Sequence, residues 1–257
     1  MRLLSAFLIG LLCLLPVRPA AAQALVAAAS DLQFALNELA TAFGDKGGRE
    51  LRLVFGSSGN LSRQIEKGAP FELFLSADES YVERLAEAGL TRDEGVVYAH
   101  GHLALLLPPG SRLELDASLG DLKEAAAAGR ITRFAIANPE HAPYGRAAQQ
   151  ALQAVSAWEA VQPALVLGEN VSQAAQFAIS GSAQGGLVAY SLVAAPTFEG
   201  RGQHVIIPPE GYAPLRQKMV LTGRAGPVAE AFYDYLRSSE AREILGRYGF
   251  ELPEEAP

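Results

Sequence analysis

The amino-acid sequence predicts an α/β fold, on three observations. Short apolar runs alternate with stretches whose apolar residues recur at helical spacing, the junctions between them are short and rich in Gly, Ser, Asp and Asn, and the alternation persists through both halves of the chain. Strands separated by helices of this length form parallel or mixed sheets flanked by helices.

The elements follow in order. Leu25 to Ala29 reads as a buried strand, with Leu32, Leu36, Leu39, Ala40 and Phe43 at helical spacing behind it. Leu51 to Phe55 repeats the strand, Gly56-Ser57-Ser58-Gly59-Asn60 the turn, and Leu61 and Ile65 a helix that ends near Gly68. Phe71 to Ser76 is a further strand, followed by a helix through Tyr81 and Leu85 that stops near Gly89. Leu103 to Leu107 is a strand ended by Pro108-Pro109-Gly110, and the Ala125 to Ala128 run reads as helix. In the second half Phe134 to Ala137 is a strand and Asn138 to Pro143 a turn; a helix then runs from Tyr144 through Leu152 to Val155. Leu165 to Leu167, the turn Gly168-Glu169-Asn170 and a helix from Val171 to Ile179 repeat the unit. Gly186 to Tyr190 and Met219 to Leu221 read as strands, and amphipathic helices at Val228 to Leu236 and Glu240 to Tyr248 end the pattern.

Composition narrows the function classes. The chain has 257 residues, 49% hydrophobic and 19% charged, which is ordinary globular composition and is enough for one large domain or two lobes. Its net charge of −7 supplies no basic field for a polyanion, so nucleic acid is not an expected partner. Arg2, the apolar run Leu3 to Leu15 and the small residues Ala20-Ala21-Ala22 form a cleavable export signal over residues 1–22. The run is shorter than the roughly 20 residues a membrane anchor needs. The single cysteine, Cys13, lies inside it, so the exported chain is free of cysteine and relies on its core rather than on disulfides.

In open α/β sheets, ligands bind beyond the carboxyl ends of strands, where helix N-termini present unpaired N–H groups. The junctions Ser30-Asp31, Ser57-Ser58-Gly59-Asn60, Pro143-Tyr144-Gly145 and Asn170-Val171-Ser172 offer hydroxyls and amides, with no cation until Arg63 and Arg146. Such junctions suit a small anion held by dipoles, and each residue equally suits a plain N-cap. Other chemistry finds little support. Neither Gly56 to Asn60 nor Gly181-Ser182-Ala183-Gln184-Gly185 fits a G-x-S-x-G nucleophile elbow, and no phosphate-binding or dinucleotide glycine fingerprint occurs. His100 and His102 lack a carboxylate or cysteine at metal-ligand spacing. Asp78, Glu79, Glu140 and Glu169 sit near turns and read as solvated or capping carboxylates.

The segments "LVAAASDLQFAL", "FGSSGNLSRQIEKGAPFELFLSAD", "IANPEHAPYGRAAQQAL", "GENVSQAAQFAISG" and "AFYDYLRSSEAREILGRYGF" together resemble the periplasmic molybdate-binding proteins of molybdate ABC importers, over nearly the whole exported chain. The resemblance implies a two-lobed type II periplasmic binding protein, each lobe a mixed sheet flanked by helices, that closes on a tetrahedral dianion held by neutral donors. It implies molybdate or tungstate as ligand, no cofactor, delivery to a membrane permease, a periplasmic location, a monomer, and binding rather than catalysis. Carried over by position, Ser30 and Ser58 give hydroxyl and main-chain N–H from lobe one. From lobe two, Tyr144 is expected to give its hydroxyl and Val171 its backbone N–H. One branch of the family takes a tyrosine hydroxyl from the position that here is Ala189, with Tyr190 next to it, so Ala189 and Tyr190 are secondary candidates. Expected borders are 25–100 plus 216–257 for lobe one and 101–215 for lobe two.

Asp31 is the anomaly, because a carboxylate facing a dianion is repelled and desolvation magnifies the cost. The expectation is that its side chain turns away to cap the helix while its N–H serves the ligand; the alternative is that it accepts a proton from hydrogen phosphate. Sulfate and phosphate receptors therefore stay open as alternatives, as does a secreted hydrolase using Ser58 or Ser182 with a nearby histidine base, or a structural or adhesion domain indifferent to anions.

Overall fold

The computed structural model describes residues 23–253, so the export segment 1–22, with Cys13, lies outside the described residues. In chain order the elements are β1 (Ala24–Ala29), α1 (Gln33–Asp45), β2 (Leu51–Gly56), α2 (Ser58–Glu66), β3 (Leu73–Ser76), α3 (Glu79–Glu87), β4 (Val96–Gly101), β5 (Leu103–Leu107), α4 (Gly120–Ala127) and β6 (Phe134–Ala137). They continue as α5 (Pro143–Ala154), α6 (Trp158–Val161), β7 (Leu165–Gly168), α7 (Val171–Ile179), β8 (Gly186–Ala189), α8 (Tyr190–Val193), β9 (Gln203–Ile206), β10 (Leu215–Leu221), α9 (Pro227–Leu236) and α10 (Ser239–Arg247).

Two mixed five-stranded sheets result, in the orders β2-β1-β3-β10-β4 and β7-β6-β8-β5-β9. In the first, β1 runs parallel to β2 and β3 while β10 is antiparallel to β3 and β4; in the second, β6 runs parallel to β7 and β8 while β5 is antiparallel to β8 and β9. The apolar runs of the central strands have a direct cause. In β1, Val26 and Ala28 enter one buried cluster, with Leu36 of α1 and Phe232 of α9, while Ala27 enters the other, with Leu61 of α2 and Phe74 of β3. A strand covered on both faces cannot alternate apolar with polar. The second sheet has a core of the same kind around Leu103–Leu107, Phe134–Ala137 and Leu187–Ala189.

The structure departs from the expected elements where the apolar pattern is broken. The strands β4 and β9 were not legible, since β4 carries His100 and Gly101 and β9 is a half-exposed edge strand. β10 starts at Leu215, four residues before Met219, because its inward positions include the fully buried Gln217. β3 begins at Leu73 rather than Phe71, and Tyr190 opens α8 instead of ending β8, its N–H donating to the His102 carbonyl at 2.9 Å.

The chain passes from the first sheet to the second between Gly101 and Leu103 and returns between Ile206 and Leu215. Tyr212 ties the two passages together: its hydroxyl accepts from the Leu103 N–H at 3.1 Å and donates to the Ile207 carbonyl at 3.4 Å. Gly101 is required for contact rather than for backbone freedom. A Cβ there would lie 2.2 Å from the Tyr144 hydroxyl oxygen and 2.9 Å from Gln217 Nε2. Gly101→Ala is therefore expected to cost about 1–3 kcal/mol by overpacking, and Tyr144→Phe in the same chain to recover part of that loss. Guanidinium midpoints of the two single variants and the double variant check this; simple additivity would contradict it.

Candidate functional site

Four junctions from the two lobes meet at one small cavity. Ser30, Asp31, Ser57 and Ser58 line it from the first lobe, and Ala142, Pro143, Tyr144 and Val171 from the second. Ser58 and Val171 are the first residues of α2 and α7, and Tyr144 follows Pro143 at the start of α5. Amides at these positions have no acceptor within their own helix, and the helix dipoles add partial positive charge at the same point. Pro143 suits the first helical position because the N–H it lacks would be unpaired there.

The serine hydroxyls are poised as donors. Ser58 Oγ accepts from the Ala77 N–H at 3.0 Å, and Ser30 Oγ accepts from the Ser172 N–H at 3.3 Å. With an N–H at one lone pair, each hydroxyl keeps its own proton for another acceptor. Both side chains are buried. Ser30, Ser58, Tyr144 and Val171 are thus brought to a single site, whereas Ala189 and Tyr190 do not line the cavity. Tyr190 packs instead on Gly249 and on the His204 ring, 5.7 Å between centroids.

Tyr144 lines the cavity where the sequence placed it, and the Asp31 side chain takes another partner than the helix cap the sequence suggested. The Tyr144 hydroxyl lies against Gly101, the Asp31 carboxylate and Gln217, whose Nε2 is 3.4 Å away, so it joins a buried network. Asp31 does not cap a helix: neither the turn at Ser30–Leu32 nor α1 has a side-chain cap. Its Oδ2 accepts from Gln217 Nε2 at 2.5 Å, and Gln217 Oε1 accepts from the Tyr98 hydroxyl at 2.7 Å. Burial raises the Asp31 carboxyl from 3.8 to about 6; the bond from Gln217, with the Tyr144 hydroxyl and the amides of Asp31 and Leu32 nearby, acts in the opposite direction.

A clasp of direct contacts crosses the cleft. The His141 carbonyl accepts from the Gly59 N–H at 3.0 Å, and His141 Nδ1 is 2.9 Å from Ser57 Oγ. Ser172 Oγ donates to the Ser30 carbonyl and Ser191 Oγ to the Asp31 carbonyl, each at 2.8 Å. Arg146 bonds Asp78 and, at 2.6 Å, the Tyr81 hydroxyl, while Asn60 bonds Glu169. Asp78 also caps α3 through the Ser80 N–H, Glu79 pairs with Arg216, and Glu169 is 3.7 Å from His141 Nε2. The histidine that a hydrolase would need lies against Ser57, not Ser58, and Ser182 Oγ accepts from the Ser180 hydroxyl. Among the described residues, no group of three or more His, Cys, Asp or Glu is placed to hold a metal ion. Arg146 was visible as the first cation after the third junction and Ser172 as a hydroxyl of the fourth; His141, Ser191 and Gln217 carried no local signal.

The raised Asp31 carboxyl has a stability consequence of definite sign. The folded protein holds this proton more tightly than the unfolded chain, so ionisation costs nothing below pH 3.8 and the cost is complete above about 6. A shift of this size corresponds to about 3 kcal/mol at most. Asp31→Asn is therefore expected to gain stability relative to the parent as pH rises from about 4 to about 7.5, read from denaturant midpoints. A relative loss over that range would contradict the assignment.

Comparison with known proteins accords with this geometry. Residues 24–251 match the family model "Bacterial extracellular solute-binding protein". The molybdate-binding protein ModA of Rhodobacter capsulatus is 38% identical over 236 residues, covering 90% of each chain, and that of Escherichia coli is 30% identical over 230 residues, covering 88% of each. The solved structure of the Azotobacter vinelandii periplasmic molybdate-binding protein superposes with a TM-score of 0.82 at 30% identity, over 90% of this chain and 100% of that one. The chain is a two-lobed type II binding protein and belongs to the bacterial extracellular solute-binding protein family, in the branch that holds these molybdate-binding relatives.

Proposed function

We propose that this protein is a periplasmic receptor that captures molybdate, and the nearly isosteric tungstate, and delivers it to the membrane permease of an ABC importer. The observation that carries this is the convergence of three helix N-termini and two donor serines on one small buried cavity, without a lysine or arginine in its lining. Ser30 and Ser58 give hydroxyl and amide protons, Tyr144 and Val171 give backbone amides, and all bond the oxygens of the anion rather than its central atom. The position of the Tyr144 hydroxyl supports a part in the wall behind the anion. Neutral donors suit a fully deprotonated dianion, and the fixed donor positions select by size: the smaller sulfate leaves bonds too long.

The expected bodies, 25–100 with 216–257 and 101–215, are supported by the crossings: among the described residues the chain passes between the sheets only beside Gly101 and before Leu215. Closure buries the anion and biases an open–closed equilibrium that the importer reads, so the protein works as a monomer that binds and releases without turnover. The ancestry of the chain in a solute-binding family supports binding over the hydrolase alternative.

Calorimetric titration of protein freed of ligand by unfolding and refolding tests this. Molybdate and tungstate are expected to bind tightly, with no heat from sulfate or phosphate; a response to sulfate or phosphate alone would overturn the specificity. Ser58→Ala is expected to weaken molybdate binding by about 10–100-fold, the loss of a hydrogen bond to a charged ligand. Val171→Ala keeps the amide and is expected to leave affinity within about threefold. An unchanged affinity in Ser58→Ala would remove that serine from the site.

A further inference from the structure

The wall of the cavity contains one group of the wrong polarity. Asp31 lines the cavity at 1% exposure, its Oδ2 is taken by Gln217, and its Oδ1 is buried without any hydrogen-bond partner. A buried carboxylate oxygen left unpaired is costly, and the cost grows when a dianion enters the same desolvated space. The surroundings supply no compensating charge. Tyr98 of β4, Tyr144 of α5 and Gln217 of β10 face the carboxyl, Ser191 of α8 bonds the Asp31 carbonyl, and Ser172 of α7 bonds the neighbouring Ser30. Among the described residues no Lys, Arg or His bonds or pairs with Asp31. Burial and the Asp31 charge push Tyr98 and Tyr144 well above their ordinary range, so both stay neutral, as does Tyr212 beside Tyr144.

We propose that Asp31 contacts the oxyanion as a neutral carboxylic acid, its Oδ1–H donating to an anion oxygen, so that each dianion captured from neutral solution brings one proton with it. The proposal rests on the oxyanion-receptor reading and adds a specificity residue to it. The proton comes from the solvent buffer, bonds to Oδ1, forms no covalent link to the anion and returns to solvent on release. Protonation converts the orphaned acceptor into the donor that the rest of the wall already consists of, while Oδ2 keeps its bond from Gln217. Burial brings the carboxyl to about 6 before any anion is present, and the dianion brought into the same desolvated space raises it further, enough to hold the proton across the range tested.

Calorimetry with sodium molybdate, in buffers of different ionisation enthalpy near pH 7.5, counts the protons. The expected result is close to one proton taken up per anion, with affinity falling about tenfold per pH unit between about pH 7 and 8.5. Asp31→Asn, whose amide N–H replaces the acid proton, is expected to bind molybdate with no proton uptake and a flat pH profile. Tight molybdate binding by the parent with no proton exchange and no pH dependence would overturn the proposal and leave the receptor standing. Preference for phosphate at a pH where it carries a proton, lost in Asp31→Asn, would overturn it in favour of an ionised acceptor. Absence of molybdate binding at every pH would overturn the receptor and the proposal together. If Asp31→Asn fails to fold, the parent's proton count alone decides.

Discussion

A doubly charged anion that enters a closed cleft loses its hydration, and a protein of net charge −7 offsets that loss here with aligned dipoles instead of cations. Much of the architecture serves that constraint. Parallel strands β1 and β2 in one sheet and β6 and β7 in the other run to the same cleft, so the helices and turn that follow them open there. Residues of both lobes line the cavity, so the proposed donor set would be complete only when the lobes meet. On the proposed reading, the anion's bonds and the cross-cleft clasp of His141, Arg146 and Ser172 would favour the same closed state and so couple binding to a shape change.

The buried polar network behind the cavity connects this site to the two strand passages between the lobes. Gln217 on β10 donates to Asp31 and accepts from Tyr98 on β4, while Tyr144 reaches back against Gly101 at the first passage. Such a network is costly if any member is left unpaired, and here one atom, Asp31 Oδ1, is left so. Asp31 also lines the cavity, and the proposed acid would turn this acceptor into a donor for the anion. The pattern fits the general tendency of functional sites to keep local costs that the rest of the fold absorbs.

Most of the fold was legible because central strands covered on both faces must be apolar throughout, as Leu25 to Ala29 and Leu103 to Leu107 are. The strands that escaped, β4 and β9, are an edge strand with His100 and a half-exposed edge strand with His204, where composition no longer reports the sheet. At the site, Ser30, Ser58, Tyr144 and Val171 stand at junctions whose local pattern marks a helix start, and the family resemblance added which junctions converge. Partners that face them from across the cleft were illegible: Gln217 and Asp31 are 186 positions apart, and Ser57 and His141 are 84 apart. The orientation of a side chain was hidden for the same reason. The sequence placed Tyr144 at the cavity, but the approach of its hydroxyl to Gln217, in the space left by the absent Gly101 side chain, is tertiary.

The claim that a small oxyanion is held between these four junctions is tested most directly by anomalous diffraction at the molybdenum edge, on crystals of the protein grown with molybdate. One strong peak is predicted in the cavity, with the anion's oxygens within hydrogen-bonding distance of the Ser30 and Ser58 hydroxyls and of the Tyr144 and Val171 amides. A peak elsewhere, for instance in the apolar pocket beside Pro108 and Ile131, or none at the junctions of closed molecules, would contradict it.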